Sequence, residues 1–369
     1  MQNKIKAFFK NESVLCIAAI CAVLTMFIVP PDLEYLKYID FRVLSLLFCL
    51  MAVVAGFKSV GAFQWLTFRL LHRIHNGRIL SITLVMLPFF CSMIVTNDVA
   101  LLVFIPFTLS LLTQLNCTHR IISISILQTI AANLGSMATP VGNPQNLFLY
   151  STYNMNASDF FSVTIPLTAV SFILLLAAAI PILPQALPKQ MLTNAKIHST
   201  RNLIIYFALF TACLMTVFRI MPYIFTTILI VLSFLLIDRK LLKEIDFMLL
   251  ITFVCFFIIS ENLGRVDAIR ELLQMLLSKN ALLTAVGTSQ IISNVPAAVV
   301  LSGFTNQWRD MLAGVNIGGL GTPIASLASL ITLKLYMQSN GAKIAKFLSI
   351  FMVANIAGLI ILLLFTSII

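Results

Sequence analysis

The sequence predicts an all-α polytopic membrane protein: an inverted repeat of about five spans per half, with re-entrant helical hairpins and discontinuous helices. Three observations predict this fold. Apolar stretches run from end to end, a set of helix-breaking motifs occurs twice in the same order, and the basic residues gather in short loops. Roughly 10–11 membrane segments follow from the stretch lengths.

The apolar stretches come first. Of 369 residues, 60% are hydrophobic and 10% charged, with a mean hydropathy of +1.02. A soluble domain carries about 25% charged residues, so this chain cannot build a polar surface around itself. Its apolar runs have the length of a span, about 17–25 residues. They are continuous rather than alternating, which selects helices over a barrel. The formal charge of +11 would suit nucleic acid. Here the basic residues lie between spans, where they set topology, so nucleic acid is not an expected partner and the lipid bilayer is. The seven cysteines (Cys16, Cys21, Cys49, Cys91, Cys117, Cys213, Cys255) nearly all fall inside apolar runs. No pair has metal-ligand or redox spacing, and they read as small buried hydrophobes.

Loop charge threads the chain through the cytoplasmic membrane. Lys4, Lys6 and Lys10 place the N-terminus inside. The stretch 13–30 resembles a signal peptide but lacks a small-residue cleavage site before Pro30-Pro31, so it reads as a span. Asp32, Glu34 and Asp40 make 31–41 an external loop before a span at 42–57. Residues 58–78 carry Lys58, Arg69, Arg73 and Arg78 around Trp65, Phe68 and Leu71, the pattern of a helix lying on the inner surface. Residues 79–117 are apolar on both sides of Thr96-Asn97-Asp98, and Arg120 returns the chain inside, so this segment reads as a re-entrant hairpin. A broken span at 121–150, an external loop at 151–163 and a span at 164–186 complete a first repeat, 1–186. Lys189, Lys196 and Arg201 make 187–202 a cytoplasmic linker.

The second repeat, 203–369, opens with spans near 203–220 and 222–237. A basic internal loop reaches Lys243, and a span follows at 247–262. Next come an outer surface segment at 263–279, a hairpin at 280–304, a broken span at 311–339 and a last span at 347–369, with Lys343 and Lys346 inside. Lys334 reads as a lysine snorkelling to the interface. The histidines His72, His75, His119 and His198 fall in inner loops or surface segments. Glu261, Arg265 and Asp267 form a structural cluster outside.

The repeat is explicit in the motifs. Ile39-Asp40-Phe41 recurs as Ile245-Asp246-Phe247, and Val95-Thr96-Asn97 as Ile292-Ser293-Asn294. Asn133-Leu134-Gly135 with Thr139-Pro140 recurs as Asn316-Ile317-Gly318 with Thr322-Pro323. The extra span at 203–220 inverts the second set relative to the first. Inverted repeats with interrupted helices are a transporter architecture, with the site where the breaks meet.

Each break has its own chemistry. At the hairpin tips the outgoing half-helix presents free amide donors and a positive dipole end, which suit an anion or a ligand oxygen. Thr96, Asn97, Ser293 and Asn294 supply side-chain oxygens there, and Pro296 fits a first helical turn. The stretch from Asn133 to Asn146 holds two prolines, two glycines and three asparagines, which mid-membrane must line a cavity or find partners. Thr139, Pro140, Thr322 and Pro323 join the tips as candidate substrate-binding positions. Asn133, Gly135, Asn143, Asn146, Asn316 and Gly318 are candidate ion-coupling positions through side chains or freed carbonyls. Asp98 is the one acid expected near the bilayer centre, where a carboxylate is costly and points to function. It suits a coupling proton, or a sodium ion shared with Asn97 and Gly135. Its counterpart is Val295.

These motifs resemble the ion transporter superfamily, which includes divalent-anion sodium symporters, citrate–metal transporters, arsenite pumps and sodium–proton antiporters. The run from Asn316 to Leu330 and the Asn97-Asp98 pair are similar to the arsenite-pump and antiporter branch. The run Gly142-Asn143-Pro144-Gln145-Asn146 resembles a group of bacterial permeases. The resemblance covers nearly the whole chain. It implies a homodimer of scaffold and moving transport domains, elevator-type alternating access, H+ or Na+ as coupling ion, and no organic cofactor. Symporter relatives carry Ser-Asn-Thr at both tips, whereas this chain carries Thr-Asn-Asp and Ser-Asn-Val. The extra acid opposes a dicarboxylate by like-charge repulsion and leans towards proton coupling. The expected function is ion-coupled transport of a small anion or oxyanion, with sodium–proton antiport as the alternative. An intramembrane enzyme is disfavoured: the chain has no paired aspartates on spans, no His-Glu-x-x-His and no Ser/His pair at depth.

Overall fold

The computed structural model describes residues 12–71, 74, 76–183, 196–339 and 341–368. Lys4, Lys6, Lys10, His72, Arg73, His75 and Lys189, with most of the 187–202 linker, lie outside the described residues.

The chain folds into helices α1 (Ser13–Ile28), α2 (Phe41–Ser59), α3 (Ala62–Leu71), α4 (Gly77–Cys91), α5 (Asn97–Gln114), α6 (Ile121–Ser136), α7 (Pro144–Thr152) and α8 (Ala157–Ala179). The second half adds α9 (Thr200–Val217), α10 (Tyr223–Ile237), α11 (Phe247–Gly264), α12 (Asp267–Ile292), α13 (Asn294–Ser302), α14 (Trp308–Ile317), α15 (Leu327–Met337) and α16 (Ile344–Thr366). Short helical turns join some of them. Among the described residues, six helices are long and apolar enough to cross a membrane: α2, α5, α8, α9, α11 and α16. With this composition the chain is an integral membrane protein.

Burial inverts the pattern of a soluble domain. Ile17, Phe27, Ile173, Leu236, Val353 and Leu364 are exposed, while Asn97, Asn133, Asn143, Asn146, Asn294 and Asn316 are buried. Exposed aliphatic side chains suit lipid, and amides retreat to the interior where each finds a partner. Helix α16 shows the logic within one element. Phe347, Phe351, Asn355 and Leu362 are its buried residues, while Val353, Ile356, Ile360, Ile361 and Leu364 are exposed.

The recurring Ile-Asp-Phe motif is a helix start. Asp40 accepts from the Val43 amide at 3.0 Å and caps α2; Asp246 accepts from the Leu249 amide at 2.9 Å and caps α11. Asn76 and Asn280 begin the ingoing arms of the two hairpins in the same way, accepting from Arg78 and Leu283. At Asn280 the backbone turns extended (φ −164°, ψ 96°), which divides α12 into a surface arm and a hairpin arm. The expected segments at 263–279 and 280–304 meet at that kink.

Tertiary contacts recur between the halves. Helix α4 packs on α6, and α12 packs on α14. Helix α5 packs on α15, and α13 packs on α7. Helix α10 packs on α2, and α11 packs on α1. Outgoing hairpin arms therefore rest on the second half of the broken helix from the other repeat. Helix α13 has nine residues, about 13 Å at 1.5 Å per residue, less than half a bilayer core.

Three details differ from expectation. Helix α8 starts at Ala157, so the loop expected at 151–163 shrinks; Asp159 in its first turn favours the positive helix start. Among the described residues, the helix expected within 58–78 comprises the ten residues of α3. Arg265 pairs with Asp32 at 2.8 Å and Glu34 at 2.5 Å rather than with Glu261 or Asp267. Asp267 pairs with Arg270 instead. The cluster thus ties the end of α11 to the loop after α1. Free cysteines are mostly buried as expected, with Cys21 exposed.

Candidate functional site

At the first tip, α4 ends in a short turn and α5 begins at Asn97. The Asn97 amide donates to the Gly142 carbonyl at 3.2 Å, and its side-chain Nδ2 donates to Asn133 Oδ1 at 2.9 Å. Asn97 Oδ1 accepts from the Asp98 amide at 3.0 Å. Thr139 Oγ1 donates to the Met93 carbonyl, which clamps the first break against the tip. Gly135 is required by this approach. A Cβ there would lie 2.1 Å from the Phe89 carbonyl oxygen, inside any allowed contact.

At the second tip, Ser293 separates α12 from α13. Its φ of +75° places a non-glycine residue in the left-handed region, a strained geometry that surrounding structure must hold. Ser293 Oγ donates to the Ala325 carbonyl at 3.4 Å. Asn294 lies against the second break, since a Cβ on Gly319 would meet its Nδ2 at 2.8 Å.

The two breaks are joined by buried amides. Asn133 Oδ1 accepts from Asn97 and from Ser326 Oγ at 3.0 Å, and Asn133 Nδ2 reaches the Gly319 carbonyl at 3.4 Å. Asn316 Oδ1 accepts from Asn143 Nδ2 at 3.2 Å, while Asn316 Nδ2 donates to Asn146 Oδ1 at 2.7 Å. Asn146 Nδ2 donates in turn to the Met137 and Thr139 carbonyls. A run of hydrogen bonds and close contacts thus leads from Asn97 through Asn133 and Gly319 to Asn294: each tip meets the break of its own half, and the two breaks meet each other.

A cavity of about 560 Å³ opens beside this network. Of the expected site residues, Thr96, Asp98, Asn143 and Ser293 line it. Asn97, Asn133, Asn146, Asn294 and Asn316 stand behind them, in the amide network or packed on it. Gly135 and Gly318 sit at close backbone approaches. Thr139 and Thr322 bond to Met93 and Gln290, and Pro140 and Pro323 shape the breaks without lining the cavity. One wall is the apolar face of α2, from Leu47 to Ala55. The rim carries Glu12, Lys58, Glu244 and Asp246. Asp98 faces this space with Oδ1 buried and without a hydrogen-bond partner among the described residues. Among the described residues, the charged groups lining the cavity are thus four carboxylates and one ammonium.

Three supports escape a motif reading. Gln290 Nε2 donates to the Gly318 and Leu320 carbonyls, both at 2.9 Å, and its Oε1 accepts from the Thr322 amide at 2.9 Å. It satisfies the backbone that the second break frees. Ser136 Oγ accepts from Asn143 Nδ2, and Ser326 Oγ donates to Asn133 Oδ1. Polarity inside an apolar run was the available signal for Gln290. Among the described residues, no group of three or more His, Cys, Asp or Glu could hold a metal ion. A sodium ion would depend on neutral oxygens and Asp98.

Comparison with known proteins agrees with this architecture. The family model described as citrate transporter (CitMHS) matches residues 8–305. An uncharacterized transporter of Methanocaldococcus jannaschii is 33% identical over 338 residues, 91% of this chain and 92% of its own length. Inner membrane protein YbiR of Escherichia coli is 28% identical over 301 residues, 80% of each chain. Silicon efflux transporter LSI3 of Oryza sativa is 32% identical over 128 residues, 35% of this chain and 26% of its own length. A match across most of the chain, on a helical fold whose interrupted helices meet beside one cavity, means that the chain belongs to the citrate transporter family of membrane transport proteins.

Proposed function

We propose that this protein is a proton-coupled secondary transporter of a small oxyanion, carried in a neutral or singly charged form. Asp98 carries the coupling proton. The observation behind this reading is its carboxylate, which lines the cavity at the start of α5 with one oxygen buried and unpartnered. Inside a membrane such a group is costly, and taking up and releasing a proton gives it a role. Thr96 and Ser293 contribute oxygens from the two tips, and the starts of α5 and α13 offer amide donors. A multiply charged anion would be repelled by the surplus of carboxylates around the cavity. A weak oxyacid would not, and the relative named as a silicon efflux transporter supports that choice.

The two halves enter the bilayer from opposite sides in this reading, with the Lys58 end of α2 in the cytoplasm. Hairpins and broken helices move as one body past α2 and α11, in a homodimer, and carry the site across in elevator fashion. The amide ties that bind tips to breaks, and the smooth apolar wall of α2, support a body that slides as a unit.

Sodium–proton antiport is the second reading, favoured by the same surplus of carboxylates. Purified protein in proteoliposomes separates the two. With a pH-sensitive dye inside, a panel of labelled oxyanions should be taken up under an imposed proton gradient. Dissipation of that gradient by sodium, with no oxyanion present, would replace the first reading by the second. Movement of neither under any gradient would reject both.

A further inference from the structure

The molecule has a second large recess, outside the candidate site. Four helix ends form it: the end of α5, the start of α6, the end of α15 and the start of α16. It encloses about 960 Å³. Its deeper wall is apolar, with Leu109, Ile122 and Leu335. Its mouth carries Lys343, Lys346 and His119, with hydroxyls and amides nearby, and no acidic side chain among the described residues lines it. Both lysines are exposed, and neither forms an ion pair among the described residues.

The depth of these lysines in the membrane follows from α16. At 23 residues it is about 34 Å long, slightly more than a hydrocarbon core of about 30 Å. Its first residue therefore sits at the hydrocarbon edge. Lys343 precedes that residue and Lys346 is in its first turn, so both ammonium groups stand at the level of lipid phosphates. Basic pockets between membrane helices at this level attract acidic head groups.

We propose that this recess binds an anionic phospholipid, with the phosphodiester between Lys343 and Lys346 and an acyl chain along the Leu109, Ile122 and Leu335 wall. Both parts of the recess are then used: charge meets charge at the mouth, and hydrocarbon meets hydrocarbon below. A soluble phosphate would use only the first part. This assignment does not depend on which solute the protein carries.

Binding to the detergent-purified full chain tests it, by native mass spectrometry with short-chain phosphatidylglycerol, phosphatidylcholine and inorganic phosphate as separate probes. Phosphatidylglycerol should bind at least about fivefold tighter than phosphatidylcholine, and K343Q/K346Q should weaken it by roughly 10- to 30-fold, a few-fold per lysine. The charge-preserving K343R/K346R pair should keep binding, which guards against a folding defect. K240Q removes an exposed lysine elsewhere and should change nothing. Equal affinity for both lipids overturns the proposal. So does an effect of K240Q as large as that of K343Q/K346Q, or binding of inorganic phosphate as tight as that of phosphatidylglycerol.

Discussion

At the first hairpin tip, Asn97 bonds to Asn133 and is followed by Asp98. At the second, Asn294 packs on Gly319 of the second break and is followed by Val295. Behind the tips, Asn316 is held by two amides, Asn143 and Asn146, whereas Asn133 meets the shorter Ser326. Ser329, the counterpart of Asn146, keeps its hydroxyl buried and unpartnered. The halves therefore share backbone design and differ in end groups. The first half has the ionisable group and the saturated amide cluster. The second half has a strained serine and spare oxygen capacity. A shared order of helices and breaks provides a frame, and unequal side chains leave one tip with an ionisable group and the other without.

The strongest test of that difference is Asp98→Asn, which leaves neither tip ionisable. Proton-driven uptake in proteoliposomes should fall by about 100-fold or more, the scale on which a positioned proton carrier acts. Undiminished proton coupling would show that the tips do not differ in this way. Packing provides the next contrast. Gly135→Ala drives a Cβ into the Phe89 carbonyl, at a cost of about 3 kcal/mol. Gly287→Ala in α12 meets nothing within 4 Å and should gain up to about 1 kcal/mol. Thermal unfolding in detergent should rank the two variants on opposite sides of the parent.

A finer contrast lies in the amides. Asn316→Ala strands Asn143 and Asn146 and should cost about 2–3 kcal/mol, while Ser329→Ala removes an unpaired hydroxyl and should stay within about 0.5 kcal/mol. Equal losses in the two variants would mean that Ser329 is satisfied after all. The smallest expected effect lies away from the site. Arg265 holds the Asp32 carboxyl below the usual carboxylate range through their hydrogen bond. A lowered folded value gives stability that is present above the unfolded range and lost as the pH falls through the folded one. Arg265→Ala should therefore lower the melting temperature slightly at neutral pH and leave it unchanged at strongly acidic pH.

Much of this frame is legible in the sequence, because membrane depth and helix breaks are written locally. The Ile-Asp-Phe repeats are caps, and the Asn-Leu-Gly and Asn-Ile-Gly runs are breaks. The tips at Asn97 and Asn294 lie where hydrophobicity lapses. Partner choice is different. Asn143 and Asn316 are 173 residues apart, and Gln290 bonds to carbonyls 28 and 30 residues away. Nothing in local spacing distinguishes an asparagine that lines a cavity from one that braces it. Hence Asn97 and Asn294, expected at the substrate, support the wall, and Gln290 and Ser326 went unread. Asp98 is legible because it is an acid inside an otherwise apolar run.

The asparagine pairing also bears on how the protein is made. Asn133, Asn143 and Asn146 leave the ribosome well before Asn316, which two of them need as a partner. A nascent first half therefore lacks the partner of Asn143 Nδ2 and Asn146 Oδ1 that Asn316 provides until the second half emerges. The asparagine network is therefore completed only once both halves are in place. Truncated products of translation would be conspicuous to membrane quality control for the same reason.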